Sequence, residues 1–180
     1  MINKHPTSIV SEKAEIGNNV TIGPYCIINE NVKIGNNVNL KAHVYIDGNT
    51  SIGDNCTFFP YCSIGTSPQD LKYKGEESTL KIGNNNIFRE YCTLNRGPKE
   101  GINKTQIGSN NLFMAYTHVA HDCIIKDHCI FSNAASLAGH VIVGDYVSLG
   151  GFTLVHQFCN IGDYAFSGLG TVISRDVTPY

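Results

Sequence analysis

Five of the seven histidines fall within residues 118–156, and four of them belong to the candidate site: His118, His121, His140 and His156. Histidine is the natural general base near neutral pH, because it can take a proton from a hydroxyl group that attacks a carbonyl. Two alternatives stay open, namely histidines that only cap backbone corners or bond locally, and histidines that converge on a zinc ion. We favour the base and expect no metal site.

These histidines lie within a six-residue repeat of large apolar residues. From residue 119 the repeat comprises Val119, Ile125, Phe131, Leu137, Val143, Leu149, Val155 and Ile161. A period of six does not match the 3.6 residues per turn of a helix, whereas a short strand followed by a tight turn fits it. Three hexads, or 18 residues, then form one three-sided coil, and successive coils stack at a spacing of about 4.8 Å.

The 18-residue offset predicts which polar residues are neighbours. His121 should lie beside Gly139, with Gln157 one coil further, and Asp122 should lie beside His140. Because Gly139 has no side chain, its backbone N–H can approach a developing oxyanion. Asp122 is a candidate to orient His121, although adjacent residues in a strand point in opposite directions.

The same repeat organises the N-terminal half of the chain. Its large apolar residues there are Val10, Ile16, Ile22, Ile28, Ile34, Leu40, Ile46, Ile52, Phe58 and Ile64. Glycines such as Gly17 and Gly35 follow, as do the asparagine pairs Asn18-Asn19 and Asn36-Asn37. Both residue types tolerate the positive φ that a corner needs. The pattern predicts an all-β fold, a parallel β-helix of about eight coils forming a single domain over residues 1–180.

Two interruptions of the repeat predict loops at residues 66–81 and 95–106. Long loops on a rigid repeat tend to carry function. The first loop, which contains Gln69, Asp70 and Lys72, is therefore either a solvated polar loop or a substrate-binding loop.

The seven cysteines each fall four residues after a large apolar residue of the repeat, in a position that elsewhere holds valine, alanine or threonine. This position should face the interior, where cysteine acts as a small apolar residue. The odd count and the lack of a CxxC motif favour reduced thiols in a reducing compartment over disulfides or a metal site.

Composition excludes several classes of protein. The 180 residues carry a formal charge of −2 and form no dense basic block, which argues against a nucleic-acid partner. The first residues lack the apolar run of a signal peptide, and no apolar stretch approaches the length of a membrane span. We expect a cytoplasmic protein with no integral membrane segment.

The hexads resemble those of the bacterial hexapeptide transferases, a resemblance that implies left-handed coils and a homotrimer. Four motifs resemble more specifically the acyl-[acyl carrier protein]–UDP-N-acetylglucosamine O-acyltransferases, which begin lipid A synthesis. These motifs are Gln69-Asp70-Leu71-Lys72-Tyr73, His118-Val119-Ala120-His121-Asp122-Cys123, Leu137-Ala138-Gly139-His140-Val141 and Val155-His156-Gln157-Phe158-Cys159.

The resemblance implies a role for each residue of these motifs. His121 would activate the glucosamine 3-hydroxyl, while the backbone of Gly139 would stabilise the oxyanion. Gln69, Asp70 and Lys72 would belong to a loop that binds the acceptor sugar and its phosphates from a neighbouring subunit. His140, His156 and Gln157 would line the same groove, and His118 would lie beside the acyl-pantetheine arm of acyl carrier protein, the thioester donor. No other cofactor is implied.

The resemblance also places the acyl-chain groove at Gly151, Phe166 and Leu169. A small residue at the floor of this groove admits a longer chain and a bulky residue shortens it. Leu169 stands between two glycines, and the alternative is that it packs in the wall or a subunit interface. We expect a donor of about ten to twelve carbons.

In the resembled family the chain continues into a helical domain with basic residues, and we expect none of that domain within residues 1–180. Two other functions stay open: a short hexapeptide acyl- or acetyltransferase with another acceptor, and a non-catalytic trimeric scaffold. The combination of His121, Gly139 and Lys72 favours the enzyme, because a scaffold has no use for it.

Overall fold

The computed structural model describes residues 2–97 and 104–180. Over these residues the chain forms 26 short β-strands and no helix. The strands are assigned in rotation to three parallel sheets, so that each sheet takes every third strand. This is the topology of a three-sided parallel β-helix.

Within each sheet the strands stack in chain order, one from each coil. Sheet 1 contains β1 (Asn3–Lys4), β4 (Thr21–Ile22), β7 (Asn39–Leu40), β10 (Thr57–Phe58), β13 (Ile87–Phe88), β16 (Leu112–Phe113), β19 (Ile130–Phe131), β22 (Ser148–Leu149) and β25 (Phe166–Ser167). Sheet 2 contains β2 (Ile9–Val10), β5 (Ile27–Ile28), β8 (Tyr45–Ile46), β11 (Ser63–Thr66), β14 (Thr93–Asn95), β17 (His118–Val119), β20 (Ser136–Leu137), β23 (Leu154–Val155) and β26 (Val172–Ile173). Sheet 3 contains β3 (Glu15–Ile16), β6 (Lys33–Ile34), β9 (Asn49–Ile52), β12 (Thr79–Ile82), β15 (Lys104–Ile107), β18 (Ile124–Ile125), β21 (Ile142–Val143) and β24 (Asn160–Ile161).

The coils stack with the predicted register. Val119 pairs with Leu137, and Leu137 pairs with Val155, each offset by 18 residues. The described strands make eight complete coils and two strands of a ninth. The expected left-handed parallel β-helix of about eight coils is confirmed.

The core is a single column of inward side chains. The large apolar residue of each hexad fills it, and four phenylalanines, Phe58, Phe88, Phe113 and Phe131, stack with ring centroids 4.7–4.8 Å apart. All seven cysteines are buried with free thiols, as their register predicted. The column buries apolar surface that no single hexad could bury alone.

We name the three edges of the prism by the sheets that they join. The first edge joins sheets 1 and 2, the second edge joins sheets 2 and 3, and the third edge joins sheets 3 and 1. Residues with positive φ lie along all three edges, including Asn19 (55°), Tyr25 (57°) and Asp122 (59°).

The expectation for the corners was correct for the second asparagine of each pair and for Gly65 (72°), but wrong for Gly17 and Gly35. Asn19 and Asn37 have positive φ, whereas Gly17 and Gly35 are absent from the positive-φ residues. Their lack of a side chain serves close approach between coils, because a Cβ on Gly17 would lie 2.6 Å from the carbonyl oxygen of Gly35. The residue with positive φ is the second asparagine, two positions after the glycine.

Both loops leave the prism at the second edge. The first spans residues 67–78 rather than 66–81, because β12 begins at Thr79 and pairs along its whole length with β9. The second interruption lies between Asn95 and Lys104. The part of the predicted second loop at residues 98–103 lies outside the described residues. Within the described ranges, the chain contains no helix long and apolar enough to cross a bilayer.

Candidate active site

The central residues of the candidate site lie on the second edge of the prism, the edge from which the two loops also depart. His121 and Asp122 occupy the corner between β17 and β18, and His140 occupies the corner one coil further. The backbone N–H of His140 donates to the carbonyl of His121 at 3.1 Å, and that of Phe158 donates to Gly139 at 3.2 Å. The predicted stacking of His121, Gly139 and Gln157 is therefore confirmed.

His121 and Asp122 form a hydrogen-bonded pair. Nδ1 of His121 lies 2.9 Å from Oδ2 of Asp122, and Nε2 of His140 lies 3.9 Å from the same oxygen. Because a carboxylate only accepts hydrogen bonds, Nδ1 of His121 carries the proton and Nε2 is left with a lone pair. This is the tautomer that a general base needs.

Adjacent side chains in a strand point in opposite directions, but this rule does not apply to His121 and Asp122. Asp122 is in a corner with a φ of 59°, not in a strand, so its side chain turns back toward His121. Its backbone N–H donates to Oγ1 of Thr105 at 3.0 Å, which fixes the corner. The carboxylate is fully buried, and within residues 2–97 and 104–180 its Oδ1 has no hydrogen-bond partner.

Gly139 supplies the space that the His121 ring occupies. A Cβ on Gly139 would lie 2.7 Å from Cε1 and 2.9 Å from Nε2 of His121. The glycine is therefore required sterically, apart from any role of its backbone. Its N–H makes no hydrogen bond to the part of the chain that the structure describes.

The next coils extend the site with aromatic contacts. The ring of His140 meets His121 edge-on at 5.2 Å and stacks on Phe158 at 4.6 Å. His156 and Gln157 are exposed beside Phe158 on the same edge. Sequence reasoning missed Phe158 as a support for His140, although the 18-residue offset between them could have revealed it.

His118 lies on the outer face of β17, in register with Ser136 and Leu154 of the next two coils. Its Nδ1 lies 2.7 Å from Oγ1 of Thr93, its register partner on β14. Burial lowers the pKa of His118, and the neighbouring His121 lowers it further. His118 is therefore held neutral more firmly than a free histidine. Thr93 was not anticipated, because the second loop changes the spacing between these coils from 18 to 25 residues.

The same corner could also hold a cation. His121, Asp122 and His140 each offer one ligand atom, and these atoms lie within 4.8 Å of one another. Imidazole nitrogen and carboxylate oxygen are zinc ligands, so the base and the metal hypotheses draw on the same three residues. The hydrogen bond between His121 and Asp122 favours the base, because a metal on Nδ1 would displace it.

The predicted substrate loop stands on the second edge, two coils before His121. Oδ1 of Asp70 accepts from the backbone N–H of Lys72 at 2.9 Å, which forms a local turn. The side chains of Gln69 and Lys72 are exposed. One oxygen of Asp70 is thus committed to loop structure, while Lys72 is presented to solvent.

The residues expected in the acyl groove lie elsewhere on the prism. Gly151 and Leu169 are on the first edge, and Phe166 is on the outer face of sheet 1. Leu169 is 80% exposed, so it does not pack in the wall of its own prism, and its Cδ1 would lie 3.0 Å from a Cβ on Gly151. The outer face of sheet 2, with the half-exposed Leu154, separates these residues from His121 in a single chain.

Comparison with known proteins finds relatives that share one enzyme name. The bacterial transferase hexapeptide model, which describes six repeats, matches residues 13–48 and 104–139. An acyl-[acyl-carrier-protein]–UDP-N-acetylglucosamine O-acyltransferase of Aliarcobacter butzleri is 52% identical over 180 residues, covering 100% of this chain and 69% of the relative. The enzyme of the same name from Xylella fastidiosa is 48% identical over 176 residues, covering 98% of this chain and 67% of the relative.

Solved structures show the same similarity in three dimensions. The structure of LpxA from Acinetobacter baumannii superimposes with a TM-score of 0.97 at 49% identity, covering 99% of this chain and 69% of that one. The UDP-N-acetylglucosamine acyltransferase of Campylobacter jejuni gives a TM-score of 0.94 at 40% identity, covering 100% of this chain and 69% of that one.

Proposed function

This chain belongs to the family of acyl-[acyl-carrier-protein]–UDP-N-acetylglucosamine O-acyltransferases, and we propose how its residues carry out that reaction. The enzyme moves an acyl chain from the thioester of acyl carrier protein to the 3-hydroxyl of UDP-N-acetylglucosamine, the first step of lipid A biosynthesis. The observation that carries the mechanism is the His121–Asp122 hydrogen bond, with the imidazole lying directly over Gly139.

His121 acts as the general base. Its Nε2 takes the proton of the 3-hydroxyl while the hydroxyl oxygen attacks the thioester carbonyl, and the buried carboxylate of Asp122 stabilises the imidazolium that forms. The tetrahedral intermediate places a negative oxygen near the N–H of Gly139. When the C–S bond breaks, the proton on His121 passes to the leaving sulfur, which returns acyl carrier protein as its thiol.

The other residues of the second edge bind the two substrates. Gln69, Asp70 and Lys72 contact the sugar and phosphates of the acceptor, for which the exposed Lys72 ammonium supplies a positive charge. His140, His156 and Gln157 line the groove above His121. His118, held neutral by its buried position, lies beside the pantetheine arm of the donor.

The acyl groove requires more than one chain. His121 lies on the second edge and Leu169 on the first edge, so a homotrimer brings the two edges of adjacent prisms together. Exposed apolar side chains on this part of the molecule are consistent with such packing: Ile130, Leu154, Phe158, Phe166 and Val172. The free thiols of all seven cysteines support a cytoplasmic location.

The direct test is acyl transfer from acyl carrier protein to UDP-N-acetylglucosamine by wild type and His121→Ala. We expect wild-type turnover and a loss of about 10²- to 10⁴-fold in kcat for the variant. The melting temperature should change little, because His121 lies outside the core column. Wild-type turnover with another acceptor alone would indicate the short acyltransferase, and no turnover with any acceptor would indicate the scaffold.

A further inference from the structure

Two consecutive residues, Asn95 and Arg96, hold both ends of the loop at residues 67–78. Nδ2 of Asn95 donates to Oγ1 of Thr66 and to the carbonyl of Ser67, each at 2.9 Å. The backbone N–H of Arg96 donates to the carbonyl of Thr66 at 3.0 Å. The beginning of the loop is thus tied to the end of β14.

The Arg96 side chain ties down the other end of the loop. Its Nε donates to Oγ of Ser78 at 3.1 Å, and its Nη1 donates to the carbonyl of Gly65 and lies 3.4 Å from Oδ2 of Asp47. The Arg96 side chain is 11% exposed, and a Cβ on Gly48 would overlap its guanidinium. Arg96 therefore occupies a closely fitted site among three coils of backbone.

The interior of the loop is connected to the same residues. The hydroxyl of Tyr73 donates to the carbonyl of Glu76 at 3.0 Å and lies 3.3 Å from Oγ of Ser78. The connection runs from Arg96 through Ser78 to Tyr73, the neighbour of Lys72. A change at Arg96 should therefore be transmitted to the residues that face the acceptor.

The segment also touches the catalytic pair. Gly97, the next residue, donates its N–H to the carbonyl of Thr79 at 3.2 Å. A Cβ on Gly97 would lie 2.8 Å from Oδ1 of Asp122. Residues 95–97 thus contact the loop on one side and the carboxylate behind His121 on the other.

Comparison with the other coils shows that the Asn95 side chain is not needed for stacking. The register places Asn95 opposite Ala120 and Ala138 in the following coils, so alanine suffices where no loop departs. Asn95 is 1% exposed, yet its Oδ1 has no partner within the described ranges. A buried acceptor without a partner lowers stability, which argues that this side chain is retained for the contacts of its amide group.

We propose that Asn95 and Arg96 are positioning residues, which fix the loop of residues 67–78 so that Lys72 and Asp70 meet the acceptor in one geometry relative to His121. This inference rests on the proposed function, since the loop is taken as the acceptor loop. Pre-ordering a loop removes the cost of ordering it on binding, so its loss weakens binding more than it slows chemistry.

The test uses Arg96→Lys and Ser78→Ala in the full-length protein, with Arg89→Lys and Ser8→Ala as matched controls. Arg89 pairs with its neighbour Glu90 on the surface, and Ser8 is a buried serine that bonds the carbonyl of Gly23. Lysine retains the charge of Arg96 but cannot reach Ser78 and Gly65 together. Ser78→Ala removes the hydrogen bond from Nε of Arg96 with little change of volume. This variant can therefore test the inference even if Arg96→Lys does not fold.

Two readouts separate this inference from the proposed function. The first readout is the rate of tryptic cleavage after Lys72 and Lys74, measured by mass spectrometry. Cleavage should be about tenfold faster in Arg96→Lys and Ser78→Ala and unchanged in the controls. The KM for UDP-N-acetylglucosamine should rise about tenfold, with kcat within about threefold of wild type. Two results would overturn the positioning role: an unchanged cleavage rate, or a fall of kcat by about tenfold with no rise in KM. If wild type fails to use UDP-N-acetylglucosamine, the proposed function fails, and the cleavage rates still decide whether the loop is held.

Discussion

Nδ1 of His121 lies 2.9 Å from Oδ2 of Asp122, although the two residues are adjacent in the chain. The contact exists because Asp122 takes a φ of 59° at the corner, which returns its carboxylate to the preceding side chain. A single corner thereby supplies a base and the group that fixes its tautomer. This geometry makes Asp122 a positioning residue of the catalytic pair.

Asp122→Asn should lower kcat by at least about tenfold while changing KM little. The amide has nearly the same shape as the carboxylate but carries no charge to stabilise the imidazolium. The variant should melt near the wild-type temperature, because Oδ1 already lacks a partner within residues 2–97 and 104–180. Wild-type kcat in this variant would show that the hydrogen bond does not assist proton transfer.

Leu169→Gly should shift the donor preference toward longer acyl chains. Leu169 is exposed and lies over Gly151, so its removal opens space at the floor of the groove. Each further buried methylene contributes about 0.8 kcal/mol, or roughly fourfold in selectivity. Transfer rates for donors of about eight to sixteen carbons measure the effect. Leu169→Met, which preserves the bulk, is the control, and an unchanged preference in Leu169→Gly would eliminate Leu169 as the stop.

The cysteines should react slowly with a thiol reagent until the protein is unfolded. Burial raises the pKa of Cys129 to about 11 and that of Cys123 to about 12. Since the thiolate is the reactive form, both should remain unlabelled at pH values where a free thiol reacts. Mass spectrometry of the labelled protein should detect seven reactive thiols after unfolding in guanidinium chloride. Rapid labelling of several in the native state would contradict the inward register.

Stability should fall as the pH is lowered below about 6.5, and His118 should contribute to the fall. Burial first, and the nearby His121 second, lower the pKa of His118 in the folded state. The unfolded chain therefore binds a proton at His118 that the folded chain resists, so acid favours unfolding. Denaturant unfolding of wild type and His118→Gln between pH 5 and 8 measures this. An identical pH dependence in the two proteins would exclude the contribution of His118.

Mass measurement in solution should find three chains of 19.6 kDa in one particle. The catalytic corner and Leu169 lie on different edges of one prism, so both can face one acyl chain when prisms pack side by side. Equilibrium sedimentation over a range of protein concentrations distinguishes the states. A stable, active monomer would require the acyl chain to cross the outer face of sheet 2 instead.

The repeat itself predicted most of the fold and part of the site. Because hydrogen bonding between parallel strands imposes one register, a period of six residues with three sheets places residues 18 apart in contact. His121 with Gly139, and Asp122 with His140, follow from that rule alone. Its limit is reached where a loop is inserted: Thr93 and His118 are 25 residues apart, and Arg96 and Asp47 are 49 apart.

Strand order, stacking register and the inward position of the cysteines could therefore be read from the residues alone, because they depend only on periodic burial of apolar side chains. Features that depend on corner geometry required the folded chain. The positive φ of Asp122 directs its carboxylate to His121, and the close approach of coils, rather than φ, requires Gly17 and Gly35. The assignment of Leu169 and His121 to separate edges could be read from the repeat, because the 48 residues between them are not a multiple of 18. Only the folded chain shows that Leu169 is exposed there and lies over Gly151.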